Sequence, residues 1–241
     1  MSERDPRPGS PHWWQNRPRQ DKGAEQGPGR PSMPRERVIA AAVALVDEVG
    51  PGEFSMRLLA QRLGSSTATL YRHFAGKDEI FVHVVEHVLG EIPRHVPRLA
   101  ATATWQERLV ASATALFFTL KDHPKVAALF GDQVPLGPRA LAGREAAIGI
   151  LLAGGFSAAA AARAYAAIGH YVVGFAVQLR AGGMSDEAEN QDIREFCGAL
   201  DPERYPATVT AAPYLPISLP DEFRFGLQLI VDGLANHLAR P

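Results

Sequence analysis

Cysteine is nearly missing. Cys197 is the only one in 241 residues, so an intrachain disulfide is impossible and a cysteine-built metal cluster is excluded. A reducing, cytoplasmic setting fits that composition. Long apolar runs are missing too. The longest stretch, about 165–179, is interrupted by His170 and Gln178 and is too short to span a bilayer. The N-terminus has no apolar run of the kind a secretory signal needs. No membrane partner is expected. Excess charge is absent as well: the formal net charge is −1, so any nucleic-acid binding must rest on local charge. Alternating strand patterns do not occur at any useful length. What remains, 46% hydrophobic and 21% charged residues with helical periodicity, is an ordinary soluble composition, and the expected fold class is all-α. The length suits one large domain, or a small one followed by a larger one.

Residues 1–33 are rich in Pro, Gly, Arg and Gln without a period and read as a disordered extension. Six basic residues (Arg4, Arg7, Arg17, Arg19, Lys22, Arg30) face four acidic ones (Glu3, Asp5, Asp21, Glu25). The stretch reads as a solvated tail; the competing reading is an arm touching DNA phosphates, anchored by Trp13 and Trp14. From about residue 34 the pattern turns helical. Val38, Ile39, Ala42, Leu45, Val46 and Val49 share one helix face, and Gly50-Pro51-Gly52 ends it. Ser55 reads as the N-cap of a short helix carrying Leu58, Leu59 and Leu63, stopped by Gly64. Ser65 or Ser66 caps a third, very short helix through about Arg72. A fourth runs from about Lys77 to Leu89, and Pro93 and Pro97 follow it.

Further helices are expected from Trp105 to "DHP" at 122–124, and at about 124–130, 137–153 and 157–180. The span 182–220, with five prolines after position 200, reads as a long, poorly structured connection. Asp221 then caps a last helix whose Phe223, Leu227, Ile230, Val231, Leu234 and Leu238 form a continuous stripe.

Two short helices joined at Gly64 with a third packed behind them are the layout of a helix-turn-helix. Leu59, Leu63, Leu70 and Phe74 would pack it. Thr67, Thr69, Tyr71, Arg72 and His73 would then point away, with tips suited to phosphates and base edges. From Arg57 to Lys77 the basic residues are Arg57, Arg62, Arg72 and Lys77, and no Asp or Glu occurs in that interval. Acids cluster on both sides, at Asp47, Glu48 and Glu53 and at Asp78 and Glu79. A near-neutral chain thus offers one positive face, and Lys77 adds charge to a helix N-terminus, a natural phosphate site.

The segment "RVIAAAVALVDEVGPGEFSMRLLAQRLGSSTATLYRHFAGKDEIF" resembles the N-terminal domain of TetR-family transcriptional regulators, above all in "LAQRLG" followed by "TLYRHF". "WQERL" at 105, "GGFS" at 154, "IGHYVVG" at 168 and "FRFGLQLIVDGL" at 223 resemble the tetracycline repressor-like second domain. The resemblance implies residues 34–80 as a helix-turn-helix domain and 81–241 as an effector-binding and dimerisation domain. It implies a homodimer on a pseudo-palindromic double-stranded operator, with repression as the family's usual mode. It also implies that DNA is met by Arg57, Ser66, Thr67, Thr69, Tyr71, Arg72, His73 and Lys77. The family's four-helix interface maps to about 157–180 and 221–239, so Leu234→Glu should break the dimer.

The subgroup's magnesium-holding His and Glu fall near Leu129 and Gln178, and two drug-contacting polar positions fall at Pro93 and Ser112. A magnesium–tetracycline complex is therefore not expected, nor any metal or cofactor. A hydrophobic small-molecule effector is. Its candidate walls are Trp105, Leu116, Phe117, Phe130, Ile148, His170 and Phe175, each of which also reads as plain core. Two other readings remain: a DNA-binding dimer without effector, and a metal-dependent hydrolase built on the H-x-x-E-H string His83, Glu86 and His87. No third metal ligand accompanies that string, and Cys197 reads as an inert thiol. No enzymatic activity is expected.

Overall fold

Ser55, Gly64 and Ser66 shape the first unit, each through local chemistry. The computed structural model describes residues 6–16, 34–131, 134–179 and 187–239. After a short α1 (Pro11–Asn16), α2 (Arg35–Glu53) buries Val38, Ala42, Leu45 and Val46. Gly50 interrupts it at φ +82°, a left-handed conformation that glycine adopts freely, so the regular helix ends there. Ser55 accepts the Leu58 N–H (3.2 Å) and opens α3 (Met56–Arg62). Gly64, at φ +61°, turns the chain, and Ser66 accepts the Thr69 N–H (3.2 Å) to open α4 (Thr67–Tyr71). Leu59 and Leu70 are 0% exposed and Phe74 1%, so the inward half of "TLYRHF" is core. Burying a side chain of that size is worth roughly 1.5–3 kcal/mol, enough to hold so short a helix in place.

The rod of the molecule is α5 (Lys77–Leu89), which buries Ile80, Val84 and Val88 and packs against α2, α7 (Pro138–Ala153) and the 3-10 turn Val126–Phe130. The division expected at residue 80 falls inside α5. Beyond it, α6 (Trp105–Asp122) starts with a capping box between Thr104 and Glu107. It packs against α7, α8 (Ala158–Leu179) and α11 (Leu219–Leu238). Phe117 of α6 stacks on Phe223 of α11 at 4.1 Å between centroids. No strand occurs among the described residues, so the fold is all-α, a small helix-turn-helix unit joined to a larger helical one. No described helix is long and apolar enough to cross a membrane.

Three readings of the sequence change. Residues 6–16, inside the stretch read as disordered, are ordered and contain α1; residues 1–5 and 17–33 lie outside the described residues. The span read as a poorly structured connection contains α9 (Glu187–Gly198), α10 (Pro206–Ala211) and a 3-10 turn at Ala212–Tyr214, which pack mainly on one another. Pro206, Pro213 and Pro220 sit at helix starts, where a missing N–H costs nothing. The last helix starts at Leu219, capped by Ser218, which accepts the Asp221 N–H (3.3 Å); Asp221 lies inside the first turn.

Candidate nucleic-acid interface and its link to the second domain

On α4 the side chains divide as the spacing requires. Leu70 and Phe74 are buried, Tyr71 is 56% exposed, Arg72 is exposed, and Thr67, Thr69 and His73 are partly exposed. Ser66, Thr69 and Arg72 form a chain of contacts along the outside: Ser66 Oγ to Thr69 Oγ1 is 3.0 Å, and Arg72 Nη2 donates to Thr69 Oγ1 at 3.4 Å. Ser66 is therefore first a cap, with its hydroxyl still at the surface. Arg57 is exposed on the preceding helix. Lys77 donates to the Pro51 carbonyl (2.8 Å) and lies over Phe81, so one of its three protons ties the start of α5 to the end of α2. Arg62 pairs with Glu48 (2.6 Å), which offsets part of the positive face.

A group that sequence reasoning did not identify fixes this surface to α5. Arg35 donates to the His73 carbonyl, closing the end of α4, and to Glu79 Oε1 (2.6 Å). Its guanidinium also lies 2.8 Å from His83 Nε2 and 4.0 Å from the Phe74 ring centroid. Glu79 Oε2 accepts the Ala75 N–H (2.7 Å). Burial by itself pushes the Glu79 carboxyl up. Hydrogen bonds from His83, from the Ala75 amide and from Arg35, with the Arg35 charge, outweigh it and bring the pKa down to about 2. Arg35 and Glu79 lie 44 positions apart, which no local periodicity reveals.

The H-x-x-E-H string separates into three unrelated contacts. His83 joins the Arg35 group. His87 faces Glu91 at 3.6 Å. Glu86 turns toward the second domain and accepts the backbone N–H groups of Arg139 (2.8 Å) and Ala140 (3.1 Å) at the start of α7. Burial raises the Glu86 carboxyl despite those two bonds and the Arg139 charge. No group of three or more His, Cys, Asp or Glu side chains placed to hold a metal occurs among the described residues. A third link returns to α2: His123, after α6, places Nδ1 2.6 Å from Asp47 and Nε2 3.6 Å from Glu91. The Asp47 hydrogen bond raises the His123 pKa, burial opposes it, and the Asp47 charge and Glu91 add to the rise.

The seven candidate effector residues do not converge on one cavity. Trp105 packs edge-on against Phe156 (5.0 Å) at the start of α6, and a Cβ at Gly154 would lie 2.7 Å from it. Phe117 is twelve residues further on, about 18 Å along the axis at 1.5 Å per residue. Phe117 and Phe175 meet through Phe223. Leu116, Phe130 and Ile148 are partly buried against the same core. His170 is exposed on the outer face of α8, so it is not a wall of an interior site in this structure. Cys197 is half-buried on α9. A shallow cleft lies elsewhere, lined by Gly9, Trp14, α5, Leu129 and residues 134–137, and it contains none of the seven.

Two family patterns match the chain. The one described as bacterial regulatory proteins, tetR family, covers residues 38–84, and the tetracyclin repressor-like C-terminal domain covers 97–238. An HTH-type transcriptional regulator of Saccharopolyspora erythraea is 31% identical, over 88% of this chain and 88% of its own. The tetracycline repressor protein class A from transposon 1721 of Escherichia coli is 31% identical, over 83% of this chain and 89% of its own. Among solved structures, the Streptomyces coelicolor TetR family protein ActR in complex with actinorhodin superposes with a TM-score of 0.75 at 26% identity. That match covers 86% of this chain and 99% of ActR.

Proposed function

The chain belongs to the tetR family of bacterial transcriptional regulators, and we propose that it is a repressor that leaves its operator when a small, mostly apolar molecule binds the second domain. The observation that carries the DNA-binding half is the division of α4. Thr67, Thr69, Tyr71, Arg72 and His73 stand outside a scaffold of buried Leu70 and Phe74, and Arg57 stands beside them, in an interval with no acidic residue. In this reading the five outer side chains of α4 meet bases and phosphates in the major groove, and Arg57, Ser66 and Lys77 steady the backbone.

Family members act as dimers, and in this reading α8 and α11 form the centre of the interface. On α8, Ala162, Ala166, His170, Gly174 and Val177 recur on one exposed face. On α11, Phe225 and Leu229 are 68% and 56% exposed. Small residues opposite large apolar ones suit close helix packing between copies. A symmetric dimer then calls for a pseudo-palindromic operator with half-sites about 34–36 Å apart. In this reading the effector opens a space beside Leu116, Phe130, Ile148 and Phe175, which are partly buried against the core and share no cavity in the structure described above. The actinorhodin complex of ActR supports a small-molecule effector.

A gel-shift titration against the chain's own promoter region tests the reading. Wild type shifts the DNA, and affinity falls steeply as salt rises through counterion release. Tyr71→Ala and Arg72→Ala weaken binding by about 1–3 kcal/mol each while the dimer persists. Wild-type affinity from both variants would remove α4 as the reading helix.

A further inference from the structure

Residues 6–16 do not lie free beside the head; they cross the seam between the two units. Trp13 and Trp14 pack edge-on to each other at 4.8 Å, and both face His83, at 6.0 and 6.2 Å. The same imidazole also meets Phe74 at 5.9 Å and the Arg35 guanidinium, so the tryptophans rest on the group that holds α4 to α5. On the other side, Gly9 and Trp14 line the cleft together with Val82, Val85 and Glu86 of α5 and with Leu129 and residues 134–137 of the second domain.

The segment has local structure of its own. Gly9 is buried at φ +83°, which few other residues accept, and it turns the chain into α1. Ser10 Oγ accepts the Trp13 N–H at 3.3 Å. The half-buried Trp14 indole on the cleft, with Trp13 edge-on against it, is a large, rigid anchor and buries far more area than a solvated tail does.

We propose that residues 6–16 are a tryptophan clamp that joins α5 to Leu129 and residues 134–137 and so fixes the angle between the DNA-binding head and the second domain. This rests on α5 coupling the two units. The clamp fits only when the α5 wall and the 134–137 wall keep their present separation. Movement of α5 away from the second domain frees Trp14, and loss of the tryptophans lets α5 move.

The test uses the full-length chain and its Trp13→Ala/Trp14→Ala variant, followed by amide hydrogen exchange. Removing the clamp speeds exchange of amides in residues 80–88 and 136–140 by about tenfold, with the α6 and α11 interiors unchanged. Trp14→Phe, which keeps an aromatic ring in the cleft, restores most of the protection. A second readout uses Trp105→Phe, which leaves Trp13 and Trp14 as the only tryptophans. Acrylamide quenches them several-fold less in the native protein than in urea.

Unchanged exchange in the double variant, or native quenching equal to that in urea, overturns the clamp. So does a double variant that keeps wild-type exchange but loses operator affinity with a shallower salt dependence, because the segment is then a DNA arm. If wild type fails to shift its promoter DNA, the proposed function fails while the exchange and quenching readouts still decide the clamp.

Discussion

Glu79→Gln removes one charge and little volume from the group that ties α4, α2 and α5 together. In wild type the carboxylate takes the Arg35 guanidinium at 2.6 Å and the Ala75 amide at 2.7 Å, with His83 Nε2 at 3.8 Å, and its side chain is 10% exposed. A folded pKa of about 2 against an ordinary 4.5 corresponds to at most about 3 kcal/mol of stabilisation of the folded state. The carboxyl is depressed on folding, so its contribution is fully present above pH 4.5 and disappears as pH falls through about 2. By pH 3.5, one unit below the unfolded value, a little under half of it has gone. Urea unfolding at fixed protein concentration should therefore show Glu79→Gln less stable than wild type by about 2–3 kcal/mol at pH 7. The gap should narrow by about half at pH 3.5. A gap below about 0.5 kcal/mol at pH 7 would place the ion pair among ordinary surface pairs. A gap that stays constant from pH 7 to pH 3.5 would show that the lost term is shape or the amide cap, and the charge argument fails.

Other expected outcomes follow from the same geometry. Leu229→Glu, on the exposed face of α11, should give folded monomers by sedimentation velocity, because burying a leucine between copies is worth about 1.5–3 kcal/mol and a carboxylate there reverses the sign; a stable dimer would move the interface elsewhere. Gly137→Ala should destabilise by about 1–3 kcal/mol in thermal unfolding. Its φ of −75° suits alanine, but the new Cβ would lie 2.2 Å from the Glu86 carboxyl carbon, which two α7 amides hold in place. Asp47→Asn should cost more stability at pH 5.5 than at pH 9. The His123 pKa is raised in the fold between Asp47 and Glu91, so the contribution is complete below pH 6.5 and disappears as pH rises through the folded value. A pH-independent difference in urea midpoints would detach His123 from Asp47.

What the sequence reveals here is what lies within one turn of itself. Ser55 and Ser66 each cap a helix through an amide three residues on, and Gly64 needs only its own dihedral angle. The inward pair Leu70 and Phe74 follows from a spacing of four. The α5 nodes have no such signature, because Glu79 meets Arg35 from 44 positions away and Glu86 meets Arg139 from 53. The motif at 83–87 misleads for the same reason: helical spacing puts His83 and His87 on one face, but their partners lie on different elements. The apolar stripe of α11 is legible, yet its direction is not. Phe223, Leu227 and Val231 go to the subunit core, with Leu234 packed against it, while Phe225 and Leu229 stay outside. Leu234→Glu, expected from the sequence to split the dimer, would also disturb the subunit core against which Leu234 packs. Residues 6–16 escape because a Pro- and Gly-rich composition hides two tryptophans that find their partner far along the chain.

The nodes on α5 explain how one helix can serve two units. Glu79 in its first turn is held by α2 and by the end of α4, Glu86 near its other end by the start of α7, and Glu91 just beyond meets His123, which returns to α2 through Asp47. The two anchoring carboxylates are seven positions apart, about two turns, and Val82, Val84 and Val85 between them are buried. A helix pinned at both ends and packed between them moves as a rod. Its thirteen residues span about 20 Å, so a 10° tilt about the α7 end carries the α4 end by about 3–4 Å. Hydrogen bonds to base edges tolerate a few tenths of an ångström, and two heads must keep their separation on the operator at the same time. A tilt of that size is therefore sufficient to release DNA without unfolding any element of the head.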